Sequence, residues 1–171
     1  MFNPSICVTR RTIRGFLFCI VACVIFLHVP YAYAACTVST ASVSFGSYDA
    51  TSQNHLASNG SVTVDCSVGV APPNPSVNVL IIIGQSPNSG SFNPRKMKNI
   101  TGADLLNYNL YTNSSMTSIW GDGTGGTSTV TLGKVNRNAL PIVTSVYGSI
   151  PAGQDVSAGS YSDILIVTIT W

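Results

Sequence analysis

Short runs in which apolar and polar residues alternate recur from residue 36 to the end of the chain. Turn-forming residues separate them, and six runs precede the last one, at residues 36–45, 60–70, 76–84, 105–112, 128–134 and 139–150. An alternation of period two is typical of strands that bury one face. No apolar period of 3.6 residues persists for three turns, so the pattern predicts an all-β sandwich.

The last run, GSYSDILIVTITW at residues 159–171, predicts the exposed edge of a sheet. From Ile164 onward it contains no proline, glycine or charged residue, and it is rich in β-branched side chains. That composition is typical of strands that pair readily with other chains. Its odd positions form one apolar face, which consists of Tyr161, Leu165, Val167, Ile169 and Trp171. A sheet that ends with this strand leaves one edge open to a partner.

The first 34 residues predict a signal peptide that is removed before the domain folds. Arg10, Arg11 and Arg14 precede the apolar segment 15–29, and small residues occupy the positions that a signal peptidase reads, Ala32 and Ala34. We therefore expect a mature domain at residues 35–171. Because the apolar segment is shorter than the roughly 20 residues of a spanning helix, no stable membrane anchor is expected. A twin-arginine signal and a lipid anchor on Cys36 are the alternatives.

Removing the signal peptide changes what the charges and cysteines indicate. Three of the eight basic residues leave while all six aspartates stay, so the net charge of the mature part is about −1. The basic cluster that remains, Arg95, Lys96 and Lys98, is interpreted as a solvated loop, and no nucleic-acid surface is expected. Two cysteines, Cys36 and Cys66, stay in the exported part, where they predict one disulfide.

The residues after the signal peptide do not form a recognisable catalytic or metal site. The single histidine, His55, lies in a polar stretch, and the aspartates are scattered singly along the chain. The glycine-rich segment 121–126 carries one carboxylate, Asp122, and is interpreted as a turn. Because catalysis needs a base, a nucleophile or a metal held by partners, we expect no enzyme, no cofactor and no metal.

Several motifs together resemble one known family. ACTVS near the mature start, VDCSV, RKM, YNLYT, WGDGTGG, VYGSIPAGQ and AGSYSDILIVTITW occur in the order found in spore coat protein U domains. That family includes the pilin subunits of archaic chaperone-usher pili. The resemblance covers essentially the whole mature chain, and the most specific motifs are YNLYT, WGDGTGG and the Gly-x-Tyr-x-Asp opening of the last strand.

The resemblance implies an immunoglobulin-like sandwich that lacks its last strand and is completed by donor-strand complementation. It implies three partners: a periplasmic pilus chaperone, an outer-membrane usher and the donor strand of a neighbouring subunit. The protein would pass through the periplasm to a pilus on the cell surface. The strand-pairing edge would run from Tyr161 to Trp171, with Leu165, Val167, Ile169 and Trp171 facing the core, and Cys36 with Cys66 would match the disulfide of the family.

One departure from the family pattern concerns the donor segment that precedes the first cysteine in shaft subunits. Only Ala35 lies between the expected cleavage site and Cys36. The resulting hypothesis is a tip or terminal subunit, with adhesion in surface attachment and biofilm formation as one form of it. An N-terminal half of a two-domain tip protein would show the same feature. The alternative function is a secreted spore-coat or matrix-like surface protein that does not assemble into a fibre.

Overall fold

The computed structural model describes residues 36–66, 77–135 and 140–171. The predicted signal peptide lies outside these ranges, as do parts of the predicted runs at 60–70, 76–84 and 139–150. Nine strands form in the described ranges, and no helix long and apolar enough to cross a membrane occurs there. The strands are β1 Thr37–Ala41, β2 Leu56–Asp65, β3 Val77–Ile83, β4 Arg95–Asn99, β5 Leu105–Tyr111, β6 Val130–Val135, β7 Ile142–Ile150, β8 Tyr161–Ser162 and β9 Val167–Thr170.

The strands form two sheets with antiparallel pairing throughout. One sheet has six strands in the order β1-β2-β7-β5-β4-β8, and the other has three in the order β6-β3-β9. Apolar side chains of both sheets meet in one core, in which Val62 and Val64 of β2 face Val79 and Ile81 of β3. Because every second residue of these strands is buried, the alternation in the sequence became the inner face of a sandwich. The predicted all-β sandwich is confirmed.

Strand β4 corrects the interpretation of residues 95–98 as a solvated loop. Arg95 is fully buried, whereas Lys98 on the opposite face is exposed. The Arg95 guanidinium donates to the carbonyl oxygens of Gly84 at 2.9 Å and Trp120 at 2.6 Å. Burial lowers the pKa of Arg95 from its ordinary value, and these carbonyls replace part of the water that the guanidinium loses, while its buried Nη1 atom has no hydrogen-bond partner among the described residues. A basic side chain thus links the end of β3 to the Trp120 segment.

The last run of the sequence is divided between the two sheets, whereas the pattern predicted one uninterrupted strand. Ser162 of β8 pairs with Lys98 of β4 in the six-stranded sheet, and Thr170 of β9 pairs with Leu80 of β3 in the other. Asp163 follows β8 directly at the crossover. The final residues therefore lie at an edge of both sheets.

The predicted disulfide between Cys36 and Cys66 is present and largely buried. It lies directly beside the pairing of Thr37 with Asp65, so it holds the beginning of β1 against the end of β2. Because β1 is exposed along its whole length, its attachment to the sandwich depends on the β2 ladder and on this bond.

We expect the double variant Cys36→Ser/Cys66→Ser to unfold more easily than the wild type. The cysteines are 30 residues apart, and closing a loop of that size is valued at roughly 3 to 4 kcal/mol in the chain-entropy model. Urea denaturation of both proteins measures the difference in the free energy of unfolding. Equal midpoints and slopes would show that the bond contributes no stability.

Candidate functional site

A cleft of about 850 Å³ opens between two segments of the chain. One wall consists of residues that follow β1, within 42–50, and the other of residues that lead into β8, within 156–161. The base of the cleft is formed by Met97 of β4, Leu106 of β5 and Ile150 of β7. Leu106 and Ile150 belong to the hydrophobic core, so the cleft leads from the surface to the core between the two walls.

The first wall is held by side chains, because it follows the end of the β1 ladder at Ala41. A Cβ atom on Gly148 of β7 would lie 2.6 Å from the Val43 side chain and 2.7 Å from the Phe45 ring. The absence of a side chain at Gly148 therefore allows both apolar residues to cross β7 closely. The Ser58 hydroxyl donates to the Ser44 carbonyl oxygen at 2.6 Å, and this bond fixes the backbone of the wall from the β2 side.

The far end of the first wall is attached by Tyr48. Its hydroxyl donates to the carbonyl oxygen of Pro151 at 3.1 Å and accepts from the backbone N–H of Gln154 at 2.7 Å. The Gln154 side chain in turn bonds both the N–H and the carbonyl oxygen of Asn107 in β5. The wall and the segment after β7 thus share one hydrogen-bond network.

The second wall is attached to the loop before β5 and to the end of β4. Asp104 accepts a hydrogen bond from the backbone N–H of Ser157 at 2.9 Å. The N–H of Ile100 donates to the Ser160 carbonyl oxygen at 2.9 Å, and the Tyr161 hydroxyl donates to the Ser157 carbonyl oxygen at 2.7 Å. Side-chain and loop hydrogen bonds hold both walls in place, and the described strand pairing does not join them.

Strand β9 continues from this cleft as the edge of the three-stranded sheet. Leu165, Val167 and Ile169 pack against the core but remain partly exposed. On the opposite face Ile164 is 82% exposed and Ile166 is 74% exposed. Within the described ranges β3 is the strand that pairs with β9, and no described strand lies along its other edge.

The predicted pairing edge is thus divided in the structure. Tyr161 lines the cleft, whereas Leu165, Val167 and Ile169 face the core alongside β3. Trp171 follows the last paired residue of β9 and is 49% exposed. That these residues pair with another chain stays a prediction.

A partly buried polar cluster that the sequence analysis missed lies where the chain passes from β8 to β9. The carboxylate of Asp163 accepts from the Tyr108 hydroxyl at 2.7 Å and from the Asn88 side-chain amide at 3.0 Å. It also accepts from the backbone N–H of Ile164. In the sequence, Asp163 is one of the aspartates scattered singly along the chain. The sequence offered two signals for this region. One was the Tyr-x-Asp motif that contains Asp163, and the other was the alternation Arg95-Lys96-Met97-Lys98-Asn99.

The titratable residues of the described ranges do not form a metal cluster. No group of three or more His, Cys, Asp or Glu residues among them could hold an ion. His55 is exposed and precedes β2 directly. The residues that line the cleft present apolar side chains, hydroxyl groups and backbone groups.

Comparison with known proteins identifies the class of this sandwich. The family model for the Spore Coat Protein U domain matches residues 24–168, which include part of the predicted signal peptide. The chain belongs to the spore coat protein U domain family, as its motifs predicted. "Protein U" of Myxococcus xanthus is 32% identical over 151 residues, and the match covers 80% of this chain and 78% of that protein.

A solved structure shares the fold at lower identity. It is a chain in the crystal structure of the CsuC-CsuE chaperone-tip adhesion subunit pre-assembly complex from archaic chaperone-usher Csu pili of Acinetobacter baumannii. The TM-score is 0.51 at 21% identity, and the match covers 80% of the present chain. The present chain spans 40% of the length of that solved chain.

The Tyr108 hydroxyl predicts a loss of stability at high pH. Burial, together with the hydrogen bond to Asp163, raises the pKa of Tyr108 above its ordinary value of 10.0. Because the folded pKa exceeds the unfolded one, the stabilisation is complete below pH 10 and decreases as pH rises further. We expect the free energy of unfolding to fall more steeply above pH 10 in the wild type than in Tyr108→Phe, by at most about 1.4 kcal/mol per pH unit.

The control for this measurement is Tyr111→Phe, which changes a partly exposed tyrosine of the same strand. Denaturant unfolding at several pH values between 9 and 11 gives the slopes for all three proteins. Tyr111→Phe should retain the wild-type slope. Equal slopes for the two tyrosine variants would contradict the buried Tyr108–Asp163 pair.

Proposed function

We propose that this protein is a structural, non-enzymatic subunit of a chaperone-usher pilus whose cleft and β9 edge accept an extended segment of another chain. The observation that carries the proposal is the cleft, because it opens onto Leu106 and Ile150 of the core between two walls that are not paired with each other. Membership of the spore coat protein U family and the fold shared with a Csu pilus complex support it.

An added strand would cover apolar side chains that the sandwich leaves partly exposed. Paired along β9, it would extend the three-stranded sheet and cover Leu165, Val167 and Ile169, which are now partly exposed. Side chains at alternate positions of the added strand would point towards the core, while its backbone bonds would supply affinity without dependence on sequence. In these terms the sandwich is incomplete, and donor-strand complementation completes it.

The proposed partners follow the order of assembly. A periplasmic chaperone would cover the open edge first, an outer-membrane usher would receive the subunit, and the donor strand of a neighbouring subunit would replace the chaperone. The protein would be exported through the periplasm and displayed on the cell surface. The Csu complex, which pairs a chaperone with a tip adhesion subunit, is a precedent for the first of these steps.

The position within the fibre depends on where the mature chain begins. If cleavage follows Ala34, one residue precedes Cys36, and a subunit that accepts a strand but donates none can lie only at an end of the fibre. We propose this tip or terminal position, with an adhesive role in surface attachment and biofilm formation.

A second candidate is a secreted coat or matrix protein that does not form fibres. The description of the family, Spore Coat Protein U domain, favours it. Genes for a chaperone and an usher beside the gene of this protein would favour the pilus, and their absence would favour the coat.

A donor segment should stabilise the isolated protein strongly. We expect a synthetic peptide with apolar residues at alternate positions to raise the free energy of unfolding by about 2.7 kcal/mol when its concentration is one hundred times its Kd. Thermal unfolding with and without peptide measures the effect, and hydrogen exchange should slow along β9. A peptide of the same composition with its apolar residues grouped together is the control. If the alternating peptide, like the control peptide, left the melting temperature unchanged, the result would count against an incomplete sandwich.

The intact, non-reduced mass of the protein recovered from the periplasm tests its position in the fibre. We expect a chain that begins at Ala35, is lighter by two hydrogens because of the disulfide, and carries no lipid. A start within residues 23–34 would supply a donor segment and make the protein a shaft subunit instead. A mass increased by acyl chains would indicate a lipid anchor on Cys36.

A further inference from the structure

The inward face of the final residues contains one charged side chain. From residue 161 to residue 169 partly buried and exposed positions alternate, and the partly buried ones are Tyr161, Asp163, Leu165, Val167 and Ile169. Four of these five are apolar or aromatic and pack against the core. Asp163 is therefore a polar side chain at a position where the alternation of the strand predicts an apolar one.

Apolar packing alone does not fix the register of β9 against β3. Ile81 pairs with Ile169 and Ile83 pairs with Val167, so similar side chains follow one another at intervals of two residues on both strands. A slip of one residue would turn the apolar face of β9 outward. A slip of two residues would keep that face inward and exchange one branched aliphatic side chain for another. Packing therefore opposes the first slip and distinguishes the second only weakly.

The hydrogen bonds of Asp163 do distinguish a slip of two residues. Its carboxylate accepts from the Tyr108 hydroxyl at 2.7 Å and from the Asn88 side-chain amide at 3.0 Å. After such a slip, either Leu165 or Tyr161 would lie opposite these two donors. The Leu165 side chain accepts no hydrogen bond, and the Tyr161 ring is much larger than a carboxylate. In either direction the carboxylate would also move to an apolar place without its donors, which is costly.

Both donors are fixed to the sandwich by contacts that do not involve β9. Tyr108 lies in β5, is 5% exposed, and its ring meets the Phe45 ring edge to face at a centroid distance of 6.1 Å. The Asn88 amide also donates to the Lys96 carbonyl oxygen in β4 at 3.0 Å. The ladder of β8 with β4 is two residue pairs long. The two donors therefore provide a fixed reference for the position of the strand that follows.

We propose that Asp163 is a positioning residue that fixes the register of β9 on β3, and with it the frame in which an added strand meets the sandwich. This inference rests on the proposed function where the added strand is concerned, whereas the register of β9 is a property of the chain alone. Backbone groups of an added strand would pair with those of β9, so their positions follow the register of β9. Tyr161 in the cleft and Val167 in β9 lie on either side of Asp163, and one strand can meet both only when their spacing is fixed.

Engineered cysteine pairs report the register directly. Ile82 lies opposite Thr168 on the outward face, and Ile82→Cys is combined in turn with Ile166→Cys, Thr168→Cys or Thr170→Cys. Diagonal neighbours across a ladder are about 7 to 8 Å apart, beyond the usual Cα separation of a disulfide, which is about 4.4 to 6.8 Å. In the otherwise wild-type mature chain we expect the cross-link with Thr168→Cys to form roughly tenfold faster under mild oxidation than either of the others. Peptide masses after digestion identify each cross-link beside the native disulfide.

Moving the aspartate by two residues should move the register by two residues. The double variant Asp163→Leu/Leu165→Asp has the wild-type composition, and its carboxylate reaches the two donors only if residue 165 takes the place of residue 163. Residue 170 then lies opposite Ile82. We therefore expect the fastest cross-link to change from Thr168→Cys to Thr170→Cys. A merely structural role would lower stability without changing which pair forms.

Tyr108→Phe is the matched control for lost stability. It removes one hydrogen bond from Asp163 and leaves the aspartate at its position, where the Asn88 amide still donates. We expect this variant to unfold more easily and to keep the fastest cross-link with Thr168→Cys. Asp163→Asn keeps an oxygen that accepts from Asn88 and should also keep that cross-link.

The outcomes separate this inference from the proposed function. If the double variant keeps the wild-type cross-link, Asp163 does not set the register. A double variant that does not fold would show that the aspartate is needed for folding and not for the register, which overturns the inference as well.

A synthetic peptide with apolar residues at alternate positions tests the added strand separately. Hydrogen exchange should slow along β9 in both proteins, over amides displaced by two residues in the double variant. A changed register with no peptide binding to either protein would leave Asp163 as the positioning residue of β9 and overturn the proposed strand acceptance. Peptide binding with an unchanged register would do the reverse.

Discussion

The carboxylate of Asp163 directs the final residues of the chain and thereby determines the edge of the sandwich. It accepts hydrogen bonds from Tyr108 in β5 and from Asn88 in the loop after β3, so one side chain connects elements of both sheets at the crossover. Hydrogen bonds to a charged group contribute roughly 1.5 to 3 kcal/mol each, and a buried tyrosine hydroxyl without its acceptor would be costly. After Asp163 the chain continues towards the three-stranded sheet, where the backbone N–H of Gly84 donates to the carbonyl oxygen of Ile166.

Because of this crossover, the final residues of the chain contribute first to the cleft and then to the β9 edge. Tyr161 lies before Asp163 and lines the cleft, while Val167 and Ile169 lie after it and face the core beside β3. If a segment of a partner chain lay alongside residues 161–170, it would therefore contact first the cleft and then the β9 edge. Ile164 and Ile166, which precede β9, are largely exposed, and exposed apolar side chains beside an unpaired sheet edge are a liability in water.

Close backbone approach shapes the opposite wall of the cleft. Gly60 and Gly148 lie on neighbouring strands, and a Cβ atom at either would meet Val43. The segment 42–48 consequently crosses the six-stranded sheet with its apolar side chains turned inward, held by Ser58 and Tyr48 instead of by a ladder. The sequence predicted a strand over 36–45, but pairing ends at Ala41 because the later residues pack across β2 and β7. Alternation shows which residues face inward, and it does not show which backbone they lie against.

The sequence by itself determined the all-β class, the disulfide between Cys36 and Cys66, the family and the inward face of the final strand at Leu165, Val167 and Ile169. Each of these depends on local alternation, composition or motif order, which the linear chain contains in full. Only the tertiary structure decided that Arg95 is buried, that Asp163 divides the final strand between two sheets, that Trp171 is half exposed and that Asp104 holds a wall of the cleft through Ser157. Those features depend on contacts between residues distant in the chain, such as Asp163 with Tyr108 and Asp104 with Ser157, and a single sequence carries no record of which distant groups will meet.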